Sequence, residues 1–138
     1  MTTKDLSVPR TPEGAREVAR AFDIFSASLG IGGPRVHAVQ VALDEVLSNT
    51  VRSALPDGSG RIDVQFDLQD GLLDILVVDD GAAFDPLSRP VPDTGAPLEA
   101  RPVGGLGIHL VRQLMDTVEY ERRGGTNRLR LGKRIIGG

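Results

Sequence analysis

The chain has no cysteine, and aromatic residues make up only 4% of its 138 positions. Without cysteine there is no disulfide framework, no thiolate metal site and no cysteine nucleophile, and a reducing, cytoplasmic setting is the simplest home. With so few aromatics the core is expected to be built from Val, Leu, Ile and Ala. Neither sign of charge dominates: the net charge is -3 and the charges are mixed along the chain, so the electrostatic footprint of a nucleic-acid binder is missing. No apolar run reaches the length of a membrane span, and Met1 to Arg10 lacks the apolar centre of a secretion signal. The length suits one domain, residues 1–138, able to bury a core without staples.

What is present is a clear series of periodic segments. Thr11-Pro12-Glu13 has the form of a helix start, with Thr11 as N-cap and Pro12 at the first helical position. Val18, Ala21, Phe22, Phe25 and Leu29 then recur at helical spacing until Gly30, Gly32 and Gly33, which predicts a helix over 12–29. Leu6 to Pro9 reads as a short edge strand before it. Pro34 opens a second helix. Its stripe of Val36, Val39, Leu43, Val46, Leu47, Thr50 and Ala54 is expected to face the core, leaving Glu45 and Asn49, four residues apart, together on the opposite side.

Arg61 to Leu68 alternates polar and apolar residues, the pattern of a half-buried strand. Leu72 to Val78 is nearly all apolar and reads as a central strand buried on both faces, ending at Asp79-Asp80-Gly81. From Asp85 to Val103 there is no periodicity, and Pro86, Pro90, Pro92, Pro97 and Pro102 exclude regular structure. A loop of that length in a compact domain points to function or disorder. Gly104-Gly105-Leu106-Gly107 leads into a helical pattern over Ile108 to Met115. Val118 to Arg122 and Thr126 to Leu131 read as a closing hairpin around Gly124-Gly125, with Lys133 to Gly138 as a frayed tail.

Two stretches carry chemistry. Asp79 ends the central strand, where open α/β sheets place ligand-binding groups, and Gly81 lets backbone approach a ligand. A carboxylate there would accept from the exocyclic amine of adenine and repel the carbonyl oxygen of guanine. Taken alone, Asp-x-Gly is also ordinary turn chemistry. The glycines at 104, 105 and 107 place amide hydrogens at the positive end of a helix dipole, where phosphates bind. Their spacing fits neither a Walker-type loop nor a dinucleotide fingerprint. His37 and His109 are given no catalytic role.

Taken in order, Glu45-x-x-x-Asn49, Asp79-x-Gly81, the long loop, Gly105-x-Gly107 and Gly125-Thr126 resemble the successive boxes of the GHKL, or histidine kinase-like, ATPases. The small size and Phe84-Asp85-Pro86 are most similar to the anti-sigma factor serine/threonine kinases of that superfamily. The resemblance covers nearly the whole chain. It implies an α+β two-layer sandwich, with a mixed, mostly antiparallel sheet covered on one face by three helices.

It also implies roles. Asn49 would be the Mg²⁺ ligand and Glu45 the general base. Asp79, with Gly81 beside it, would read the adenine of ATP. Gly105, Leu106 and Gly107 would cradle phosphates, Thr126 would sit behind Asp79 near the adenine, and Asp85 to Val103 would be the ATP lid. The partner implied is a STAS-type anti-sigma antagonist, a sigma factor, or both, with no nucleic acid or membrane, and a homodimer is allowed. Two other readings stand beside it: an ATP-dependent binding module without kinase activity, and a detached histidine-kinase catalytic domain, for which no segment here reads as the usual dimerisation helix with an acceptor histidine. The sequence departs from the family pattern at Ala83, where a second glycine is usual, at Ser53, where many of these kinases have histidine, and in its proline-rich lid.

Overall fold

The computed structural model describes residues 2–52, 59–82 and 105–136. Among them the chain runs β1 (Thr2–Pro9), α1 (Pro12–Ser28), α2 (Pro34–Arg52), β2 (Arg61–Gln69), β3 (Leu72–Asp79), α3 (Gly105–Leu114), β4 (Thr117–Arg123) and β5 (Thr126–Arg134). The lid, Phe84-Asp85-Pro86, Ala83 and Ser53 lie outside the described residues.

Local chemistry explains the helix starts. Thr11 caps α1 by accepting from the Gly14 N–H at 3.1 Å, and Pro12 fills a first-turn position that needs no donor. Gly14 lets α1 dock closely, since a Cβ there would run into the Pro9 carbonyl oxygen. At the far end Gly30 takes φ +67°, a left-handed conformation that glycine adopts without strain. Val18, Phe22 and Phe25 on α1 and Val36, Val39, Leu43, Val46 and Leu47 on α2 are buried, as their spacing predicts, and Ala42 is buried with them.

The five described strands form one sheet in the order β1-β2-β3-β5-β4, and every pairing is antiparallel. The expected parallel component is therefore absent from the described strands. The chain leaves β3, crosses through α3 and enters β4 parallel to β3, but β5 then inserts between them and pairs with both in the opposite sense. The edge strand β1 is longer than expected and pairs with β2 along its whole length.

The helices lie on one face: α1 packs on β1 and β2, α2 lies between α1 and α3, and α3 reaches β4. Inward side chains alternate along Ile62, Val64 and Phe66 of β2, Leu73, Ile75 and Val77 of β3, and Leu129 and Leu131 of β5. β3 is thus fully buried on one face only. Its other face presents half-buried Asp74, Leu76 and Val78, because no described helix covers that side. Aromatics are also more central than their number suggested. Phe22 meets Phe66 edge-on with ring centroids 5.3 Å apart, and Phe25 lies 5.5 Å from the same ring.

The expected frayed tail is instead tied down as far as residue 136. β5 continues to Arg134, Lys133 Nζ donates to the Leu114 carbonyl at 2.6 Å, and the Ile135 N–H donates to Gly71 O at 2.9 Å. Register explains this, since Lys133 and Arg134 lie opposite Leu73 and Leu72 and prolong the ladder. No helix among the described residues is long and apolar enough to cross a membrane.

Candidate functional site

A pocket opens between α2, α3 and the sheet at the C-terminal end of β3. Val46, Val77, Ile108 and Leu129 give it apolar walls, while Asn49, Thr50, Asp79, Tyr120 and Asn127 bring polar atoms to its lining. Flat apolar walls with a few directed polar groups are what a heterocyclic base requires.

Asp79 reaches the pocket because the strand pleat sets the side chains of Leu73, Ile75, Val77 and Asp79 on the helix side of β3. Its Oδ1 accepts from three donors: the Gly81 N–H at 2.9 Å, Asn127 Nδ2 at 3.0 Å and Arg10 Nη1 at 3.4 Å. Asn127 is buried and satisfied. Its Nδ2 also donates to the Ala82 carbonyl at 2.8 Å, and its Oδ1 accepts from Tyr120 Oη at 2.6 Å and Arg122 Nη1 at 3.3 Å. Arg122 further donates to Gly81 O at 2.8 Å, so the turn after β3 is held from both sides.

The position expected of Thr126 is taken by its neighbour. Thr126 sits at the hairpin with its hydroxyl donating to the Arg123 carbonyl at 2.6 Å, while Asn127 lies directly across from Asp79. The two-residue period of β5 decides this, because Asn127, Leu129 and Leu131 are in phase with the buried face and Thr126 is not. That phase is the signal that could have found Asn127. Nothing in the sequence points to Arg10, which lies 69 positions before Asp79 in the turn between β1 and α1.

On α2 the expected separation of core stripe and polar face is corrected. Asn49 and Thr50 follow Val46 by one turn and line the same pocket, so Asn49 stands at the edge of the buried stripe, not opposite to it. Its Oδ1 accepts from Arg52 Nη1 at 2.9 Å. Glu45 is half-buried one turn earlier and is not part of the pocket lining. Beside it, the Asp44 carboxyl is pushed above its ordinary pKa by burial first, then by the charges of Asp23 and Glu45.

Helix α3 begins at Gly105, three residues earlier than its apolar pattern indicated, so Gly105, Leu106 and Gly107 form its first turn, where amide hydrogens are free of helical partners. The structure therefore brings Asn49 and Asp79 to one pocket with α3 beside it through Ile108, and leaves Glu45 and Thr126 at its margins.

Residues 8–133 match the family model of the histidine kinase-like ATPase domain. The chain is 33% identical over 119 residues to a serine-protein kinase RsbW of Bacillus thuringiensis (strain Al Hakam), covering 83% of this chain and 74% of that one. It is 28% identical over 127 residues to the serine-protein kinase RsbW of Oceanobacillus iheyensis, covering 88% and 80%. Among solved structures, the RsbU and RsbW domains of Rv1364c from Mycobacterium tuberculosis superimpose with a TM-score of 0.70 at 19% identity. That match covers 98% of this chain and 32% of the other, so it speaks for the fold alone. The histidine kinase domain of Erythrobacter litoralis EL346 has the same fold at a TM-score of 0.51 and 18% identity, over 92% of this chain and 61% of that one. Sequence likeness along most of its length, on a fold that those structures share, shows that the chain belongs to the histidine kinase-like ATPase domain family and, within it, to the group of the serine-protein kinases RsbW.

Proposed function

We propose that the protein is an ATP-binding anti-sigma regulator that transfers the γ-phosphoryl group to a serine or threonine of a STAS-type antagonist. The observation that carries this reading is the placement of Asp79 and Asn49 on one apolar-walled pocket, with the glycine-started helix α3 beside it. Val46, Val77, Ile108 and Leu129 would sandwich the adenine. Asp79 would accept from its amine, and the first-turn amides of Gly105, Leu106 and Gly107 would hold phosphate oxygens.

The donor set fits a hard cation shared with phosphates. An amide oxygen has two lone pairs, so Asn49 Oδ1 keeps one beside the Arg52 contact. Mg²⁺ held there would neutralise charge on the phosphates, which is the main demand of phosphoryl transfer. Glu45 would take the proton from the acceptor hydroxyl.

Purified protein, γ-labelled ATP and candidate antagonist domains test the reading: label should move to a serine or threonine of the partner. One observation favours a second reading, a nucleotide-dependent binding module. Glu45 lies outside the pocket lining, and no hydrogen bond orients it among the described residues. ATP binding by the wild type without transfer to any cognate antagonist would replace the kinase with that module.

A further inference from the structure

Arg10 is 4% exposed, an unusual burial for a guanidinium, and it is not part of the pocket lining. It lies beside the pocket, close to the backbone of Gly60 and Gly81. Its own N–H donates to Gly60 O at 3.0 Å, and the next residue's N–H turns back to Pro9 O at 2.9 Å. A Cβ on Gly60 would stand 3.4 Å from Arg10 Nε, and one on Gly81 would run into Arg10 Nη1. Gly81 is therefore required by the arginine beneath it as well as by any ligand above.

There the guanidinium meets Asp79 Oδ1, at 3.4 Å. With the Gly81 amide and Asn127 Nδ2 on the same atom, Oδ1 has three protein donors, and among the described residues none falls on Oδ2. A carboxylate with one oxygen engaged threefold cannot turn without breaking all three contacts.

We propose that Arg10 is a positioning residue for base selection: it fixes Asp79 so that Oδ1 is committed to the protein and Oδ2 is presented to the base. The inference rests on the adenine reading of the pocket and adds to it the device that sets its selectivity. A carboxylate free to rotate could turn away from the carbonyl of guanine, or admit a bridging water. A pinned one cannot, so the mismatch is left with its full cost. The cation also compensates a mostly buried negative charge, which apolar packing would not.

Calorimetry of the full chain with Mg-ATP and Mg-GTP tests this. Wild type should prefer ATP; Arg10→Met, similar in length but uncharged, should lose roughly tenfold of that preference, as expected for one charge-assisted contact. Arg10→Lys restores the cation and should recover part of it. In an Asp79→Asn background, Arg10→Met should cost no further preference, since the group it positions is gone. Should Arg10→Met fail to fold, Arg10→Gln serves in the same comparisons. A folded, uncharged variant with wild-type preference, a lysine variant without recovery, or an undiminished loss in the Asp79→Asn background would each overturn the inference alone. Equal affinity of the wild type for ATP and GTP would instead overturn the adenine reading, and this inference with it.

Discussion

The two ends of the pocket are built differently. At the sheet end Asp79 Oδ1 accepts three hydrogen bonds, and Asn127 behind it donates two and accepts two. At the helix end Asn49 has one exposed partner, Arg52, and Glu45 has no hydrogen bond among the described residues. A buried network with this many contacts on two side chains holds one geometry, since rotating either one breaks several hydrogen bonds at once in low dielectric. A half-buried helix face imposes no such limit. The sheet end is thus set before any ligand arrives, while the helix end has spare valence for a metal, phosphates and an acceptor.

This contrast makes the ends separable by mutation. The largest effect is expected from Glu45→Ala, which should lower phosphoryl transfer by about 10² to 10⁴ while nucleotide affinity and melting temperature stay near wild type. Single-turnover assays beside calorimetry would check it, and transfer at the wild-type rate would remove Glu45 from the role of base. Asn127→Ala should act oppositely. It strands Tyr120 Oη and takes one donor away from Asp79 Oδ1, so denaturant titration should show roughly 1–3 kcal/mol of lost stability. A loss below about 0.5 kcal/mol, the scale of ordinary surface changes, would erase the contrast between the two ends.

A smaller change is expected from Asn49→Ala. Mg²⁺-dependent nucleotide affinity should fall by roughly tenfold, the cost of one charge-assisted contact, with unfolding unchanged to within about 0.5 kcal/mol. Affinity that falls equally without Mg²⁺ would show that Asn49 contacts the nucleotide and not the metal.

The smallest effect is at Asp44, which keeps much of its surface in solvent but whose carboxyl is partly shielded, so that its pKa is raised in the fold from 3.8 first by that partial burial, then by Asp23 and Glu45. The folded chain then holds this proton more tightly than the unfolded chain. Stability should therefore fall as pH rises from 3.8 through the raised value, and stay lowered above it. Asp44→Asn should flatten that fall and leave the protein slightly more stable at neutral pH, as denaturation at a series of pH values would reveal.

Legibility followed the range of the interactions involved. The N-cap of α1 depends on Thr11 and Gly14, three residues apart, and was readable. The apolar stripe of α2 and the alternation of β2 were readable for the same reason. The sequence points to Asn49 but not to its side of the helix, because α3 and the sheet leave an opening at the edge of the stripe, where helical spacing alone predicts a solvent-facing side. The family motif points to Thr126 and is silent on Asn127, because a motif fixes order along the chain, whereas the pleat of β5 fixes which side chain points inward. The apolar run of β3 predicts burial on both faces, yet only one is fully buried, because such a run does not reveal whether a second layer exists.

By itself the sequence determined the helices, the strands and the chemistry available at the end of β3, since periodicity, caps and turn residues act between near neighbours in the chain. Only the tertiary structure decided what that chemistry is aimed at. The insertion of β5 between β3 and β4 brings Asn127 across from Asp79, 48 positions away, and the docking of α1 on β1 brings Arg10 against it from 69 positions away. Contacts at such separations depend on how whole elements pack, and no local pattern records which oxygen of a carboxylate is left to meet a ligand.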